Sequence, residues 1–129
     1  MAEGVNITIG PGEFIDRLTI LRLKREKART AHIQEVLAQQ VFDFEDLRKK
    51  MQDKLGLKDL ELALETVNRK LWKAEDEVRR LGADDPTDPA LAHVARRIAA
   101  MNDERARLKT GIDGLFGWQA TEIKIYGSE

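Results

Sequence analysis

The chain has no cysteine. Disulfides and thiolate metal sites are therefore excluded, and the redox compartment leaves no mark on the sequence. Aromatic residues make up only 5% of it, and no basic strip interleaved with stacking rings points to nucleic acid. Neither sign of charge dominates: 22 basic residues stand against 23 acidic ones. That balance gives no global pull towards nucleic acid or an anionic membrane. No apolar run approaches the ~20 residues of a membrane span. The opening MAEGVNITIGPGEF lacks a basic segment followed by an apolar one, so no signal peptide is expected. The two histidines, His32 and His93, have no Glu-x-x-His neighbour of the kind a di-metal bundle needs. Ser-His and Cys-His pairings of suggestive context are missing. Gly10-Pro11-Gly12 has neither the length nor the lysine of a phosphate loop. The expectation is a soluble, cytoplasmic protein with no metal, no cofactor, and neither membrane nor nucleic acid as a partner.

What is present is the composition of long packed helices: 35% charged residues, with heavy use of Ala, Leu, Glu, Lys and Arg. A length of 129 residues fits one domain, 1–129. Such a chain buries roughly two thirds of its unfolded surface, so it needs no staples. The organising stretch is residues 65–81, ETVNRKLWKAEDEVRRL. Leu64, Val67, Leu71, Ala74, Val78 and Leu81 step by three and four, the spacing of one apolar helix stripe with coiled-coil-like packing. Beside it runs a polar row, Asn68, Trp72, Glu75 and Arg79, where a bundle helix turns from core to rim.

Four helices are predicted along the chain. Residues 5–9 alternate Val5, Ile7 and Ile9 against Asn6 and Thr8, a short strand signal ended by Gly10-Pro11-Gly12. The first helix covers about residues 11–28, with Pro11 and Glu13 suited to its first turn. Its stripe is Phe14, Leu18 and Leu21, flanked by Asp16 and Arg17, and its basic end reads as a well-placed solvated terminus. Thr30 is placed to cap a second helix, in which Ile33, Leu37, Val41, Phe44, Leu47, Met51 and Leu55 form the stripe. Gly56 reads as a C-cap, a kink or a tolerated glycine. The third helix spans about residues 57–81 and Gly82 closes it. The loop ADDPTDP follows, with Thr87 or Asp88 as the next cap and Pro89 in the first turn. The fourth helix carries Leu91, Val94, Ile98, Met101, Arg105, Leu108, Ile112 and Leu115 on one stripe. Residues 121–126, TEIKIY, alternate again. A lone terminal strand is unstable in water, so this strand is predicted to pair with residues 5–9.

Arg105 is the sharpest anomaly, because it occupies an apolar position. A guanidinium removed from water requires a paired, hydrogen-bonded partner. Glu75, Asp76 and Asp16 are the candidate carboxylates. The plain alternatives are an ion-pair network that fixes helix register, or an arginine that snorkels to the surface. The functional one is an anion site built by Arg105 and Arg79. Glu75 and Arg79 are four apart in the favourable order for a pair. Trp72 fits an ordinary core edge, although its N–H beside Asn68 needs a partner. Asn102, Asp103, Arg105 and Lys109 form a matching row on the fourth helix. Glu13, Asp16, Arg17, Asn68, Trp72, Glu75, Asp76, Arg79, Asn102, Asp103 and Arg105 are thus the candidate residues of a mixed-charge seam between the first, third and fourth helices.

Several blocks together resemble an uncharacterised bacterial family of small proteins. Gly10-Pro11-Gly12-Glu13 followed by Ile15-Asp16-Arg17-Leu18-Thr19-Ile20-Leu21 is similar to that family's opening. Asn68, Leu71-Trp72, Glu75-Asp76 and Arg79 match its middle block, and Asn102-Asp103, Arg105-Ala106 and Leu108-Lys109 its Asn-Asp-x-Arg-Ala-x-Leu-Lys block. Glu122, Lys124 and Tyr126 match its closing residues. The departures are Gly10 for the usual Ser, Arg17 for Lys and Asp113 for Asn; the first loses a possible cap. The resemblance implies no assigned activity. It does imply company with surface-polysaccharide and glycosyltransferase functions, and that the matched polar positions form one site.

The expected fold is all-α: an antiparallel bundle of about four helices, with short N- and C-terminal strands that pair. The expected function is a non-catalytic binding or accessory module whose seam holds a small anionic or sugar-like ligand or a partner. One alternative is a small enzyme in which Arg79 and Arg105 hold an anionic substrate and Glu13, Asp16 or Glu75 acts as acid or base. Another is an oligomeric helical scaffold. Long stripes on the second and third helices predict a homodimer.

Overall fold

A computed structural model describes residues 2–119. It contains four helices: α1 (Pro11–Lys27), α2 (Ala31–Lys49), α3 (Leu57–Asp84) and α4 (Ala90–Leu115). Pro11 opens α1, where its missing N–H costs nothing. Glu13 lies in the first turn and Lys24, Arg25 and Lys27 in the last, so both ends complement the helix dipole. The Thr30 hydroxyl accepts the Ile33 N–H at 3.3 Å and caps α2. Pro89 is the N-cap of α4, and Asp88 just before it accepts the Ala90 N–H at 2.9 Å.

Gly56 is neither a C-cap nor a kink. It caps the start of α3 at φ 89°, a left-handed conformation that glycine adopts without Cβ strain. Gly82 does not close α3, which runs on to Asp84. Leu81 and Val78 are half-buried there, and packing on α4 outweighs the ~1 kcal/mol that a helical glycine costs.

Ile15, Leu57, Leu64, Val67 and Ile112 form the core, with Phe14, Met51, Leu60, Met101 and Leu108 packed around it. α1 packs against each of the other three helices, and the most extensive pairing is α3 with α4. Leu60, early in α3, faces Gly111, late in α4. Glu77, late in α3, pairs with Arg97, early in α4, at 3.6 Å. The apolar stripes of α3 and α4 are thus used as the periodicity predicts.

Two expectations need correction. Residues 5–9 are neither strand nor helix among the described residues, and Val5 and Ile7 are exposed. An extended segment with no ladder beside it has nothing to satisfy its backbone or cover its apolar side. Its predicted partner, residues 121–126, lies outside the described residues. The α2 stripe is also only partly used. Val41 is the buried residue of α2, while Ile33 and Leu47 are about half exposed and Leu55 almost wholly so. α2 packs closely on α1 alone, so only the side of the stripe that meets α1 is covered.

Candidate functional site

Asp16 sits in the middle of α1 with 1% of its surface exposed. Its neighbours Ile15 and Leu18 are core residues, and the helix turn therefore carries the carboxylate inward, towards α3 and α4. Arg105 meets it from α4: Nε donates to Oδ1 at 2.9 Å and Nη2 to Oδ2 at 2.5 Å. This fork-on-carboxylate geometry is the strongest form of ion pair available to a protein. Asn68 completes it from α3, donating through Nδ2 to Asp16 Oδ1 and to Thr19 Oγ1, each at 2.9 Å. Thr19 in turn donates to the Asp16 backbone carbonyl at 2.8 Å. One carboxylate thereby ties three helices together. Among the described residues no buried side-chain polar atom lacks a hydrogen-bond partner. The Arg105 side chain keeps 31% of its surface exposed, so the seam opens to solvent on that edge.

One turn earlier on α1, Glu13 accepts from Lys109 of α4 at 2.6 Å and from Arg17 at 3.0 Å. The hydrogen bond from Lys109, aided by Arg17, outweighs partial burial and holds Glu13 below the ordinary carboxylate range. Immediately before Glu13, the Gly12 N–H donates to Asp113 Oδ1 at 2.8 Å. A Cβ at Gly12 would lie 2.2 Å from the Lys109 carbonyl oxygen, so only glycine lets the two backbones approach this closely.

The predicted set divides. Asp16, Asn68 and Arg105 converge, and Glu13 and Arg17 adjoin them. Trp72 and Asn102 are half-buried on the facing helices. Glu75, Asp76, Arg79 and Asp103 are exposed. The expected Glu75–Arg79 pair gives way to Arg79 bonded to Asp76 within the same helix. Asn68 and Arg79 are eleven residues apart, about 16 Å along α3, so Arg79 does not join Arg105 over one ligand. Thr19, Lys109 and Asp113 complete the seam; Lys109 was read as part of the polar row of the fourth helix, but none of the three was among the candidate site residues.

A second charged cluster was not anticipated. Arg22 of α1 bonds Glu45 of α2 at 3.1 Å and Glu61 of α3 at 3.0 Å. Arg48 of α2 bonds Glu61 at 2.8 Å. Burial pushes the Glu61 carboxyl up, but the bonds from Arg48 and Arg22 outweigh it and hold the group below its ordinary value. An apolar groove of about 460 Å³ lies elsewhere, lined by Phe14, Leu47, Met51, Phe116 and Trp118 among others. None of the predicted residues lines it. Among the described residues no group of His, Asp and Glu is arranged to hold a metal ion, and no helix is long and apolar enough to cross a membrane.

A family model described as a family of unknown function (DUF6165) matches residues 5–123. No curated protein and no solved structure matches the chain.

Proposed function

The chain belongs to this family of unknown function, and from that premise we propose that it is a non-catalytic binding or accessory module. Its ligand, a small anionic or sugar-like molecule or a partner segment, meets the α1/α3/α4 seam at the edge where Arg105, Arg17 and Glu13 reach solvent. The observation that supports binding over catalysis is the state of the two seam acids. Asp16 accepts three side-chain hydrogen bonds in a fully buried position. Glu13 is held ionised by Lys109 and Arg17. Efficient general acid–base groups have pKa values near the working pH, and Glu13 is displaced the other way. The enzyme alternative, with Glu13, Asp16 or Glu75 as acid or base, has less support, because it needs Arg79 beside Arg105 to hold the substrate, and Arg79 and Glu75 are exposed.

Two finer features go with this proposal. The helices form an antiparallel bundle, as the Leu60–Gly111 and Glu77–Arg97 contacts suggest. The protein works as a cytoplasmic homodimer, and the exposed apolar residues of α2 support that oligomeric state.

The experiment is a thermal-shift screen against sugar nucleotides, sugar phosphates and small dicarboxylates at millimolar concentration. The variants are Arg105→Ala and the exposed Arg17→Ala, which leaves the buried network intact. A rise in melting temperature that is reduced in Arg17→Ala and lost in Arg105→Ala places the ligand at the seam. No shift with any of the three classes sinks the small-ligand form of the proposal.

A further inference from the structure

α2 has an apolar stripe that its own chain covers on one side only. Val41 is buried against the body, and Glu45 and Arg48 are held there by Arg22 and Glu61. On the 3.6-residue repeat, Ile33, Val36 and Leu47 fall on the adjacent outward strip of the helix. They are 49%, 46% and 53% exposed. Phe44 borders the same strip, stacked on Phe14 at 5.3 Å between ring centres. The strip runs into the apolar groove through Leu47 and Met51.

We propose that a second copy of this chain covers this strip, with the two α2 helices antiparallel and Gln40 on the two-fold axis. The inference rests on the homodimer reading above and names its surface. A two-fold contact must use one patch that complements itself. Gln40 is equidistant from Ile33 and Leu47, and equidistant from Val36 and Phe44. The axis therefore sets each Ile33 against the other copy's Leu47 and each Val36 against its Phe44, with the glutamines facing each other. One central polar residue between apolar pairs is a known device for fixing register. The flanking charges agree with this pairing. Lys50 comes opposite Thr30 and Asp46 opposite Gln34; Glu45 comes level with Glu35, but both lie on the far side of the helix from the strip, and Glu45 is bonded to Arg22. Asp46 already neutralises Lys50 at 3.4 Å, and Asp43 is held by Gln39 at 3.0 Å. A formal net charge of −1 leaves no long-range repulsion to oppose association.

The area sets the strength. A helix of 19 residues is about 28 Å long, and a strip about 10 Å wide gives on the order of 300 Å² of plan area before the groove is added. Specific interfaces bury upwards of roughly 1,200 Å² in total. Two such strips give about 600 Å² and the groove adds to each, so the contact stays below that class and the dimer is weak and not obligate.

The absence of cysteine makes the test clean, because a single introduced thiol has no internal partner. Gln40→Cys, oxidised mildly at micromolar concentration, forms a disulfide-linked dimer about tenfold or more faster than Phe42→Cys, through the raised effective concentration at the axis. Phe42 is exposed and lies about 200° further round the helix. Sedimentation velocity of the wild type shows a dimer that Val36→Glu converts to monomer. A wild type that is monomeric throughout the micromolar range overturns both the dimer and the surface. A dimer that survives Val36→Glu, with equal coupling rates for the two cysteine variants, overturns the α2 surface and leaves the homodimer standing.

Discussion

A carboxylate withdrawn from water needs charge and hydrogen bonds in place of its hydration, and Asp16 takes both from Arg105. Removing one partner of such a pair costs more than the pair itself contributes, because the survivor is stranded. Arg105→Ala is expected to lose about 3–5 kcal/mol of unfolding free energy. Asp16→Leu combined with Arg105→Leu is expected to recover most of that loss. Urea unfolding of the set decides: if the double variant falls below Arg105→Ala, the network does more than neutralise a buried charge. The demand that Arg105 places on its surroundings was readable, since a charged residue on an apolar period implies a carboxylate opposite. Thr19 carried no comparable signal, because a threonine within a helix breaks no pattern. Nor did the Gly12–Asp113 bond, since a side chain that meets a backbone N–H leaves no periodicity to read.

Helix lengths explain why the polar row of α3 was legible at one end only. α1 has 17 residues and α3 has 28, about 26 Å against 42 Å. Side-chain bonds from α1 reach α3 at Glu61, Asn68 and Arg69. Glu75 and Arg79 keep the same spacing as Asn68 but lie further along, where they are exposed. A one-dimensional period cannot show where the neighbouring helix stops. The same limit applied to α2, whose stripe is regular although only one side of it meets α1. The boundaries of α3 yield a direct test. Gly82 lies inside the helix, and a Cβ there meets nothing within 4 Å. Gly82→Ala should therefore stabilise the protein by about 0.5–1 kcal/mol. An unchanged or lower midpoint in chemical denaturation would mean that the last turn of α3 contributes nothing to folding.

Taken whole, the four helices and most of their caps were legible, because long amphipathic periods bounded by Thr30, Gly56 and ADDPTDP leave little choice. The terminal pairing of residues 5–9 was a matter of tertiary contact that alternation alone does not decide. The molecule's electrostatics also point one way. Lys109, with Arg17, holds the Glu13 pKa below its ordinary value, and Arg48 with Arg22 does so for Glu61 against burial. The contribution of such groups is fully present above their unfolded pKa values and is lost as pH falls through the depressed folded ones. Stability is expected to hold steady from neutrality down to the ordinary carboxylate range and to decline below it. Glu61→Gln should flatten that decline. A melting temperature that instead fell between pH 8 and 6 would point to groups other than these.

The pairing of α3 with α4 extends past the helix that braces it. Bonds from α1 reach α4 at Arg105, Lys109 and Asp113, at the same end of the hairpin as Glu61 and Asn68. At the other end, Glu77 of α3 pairs with Arg97 of α4 at 3.6 Å. Two helices joined by one loop are expected to open first beside that loop, at a free energy well below that of global unfolding. Amide protons near Leu81 and Leu91 should therefore exchange in a sub-global event that leaves those near Asn68 and Arg105 protected. A protease given limited time would nick the chain at residues 85–89 and leave a complex of two fragments, still folded around Asp16.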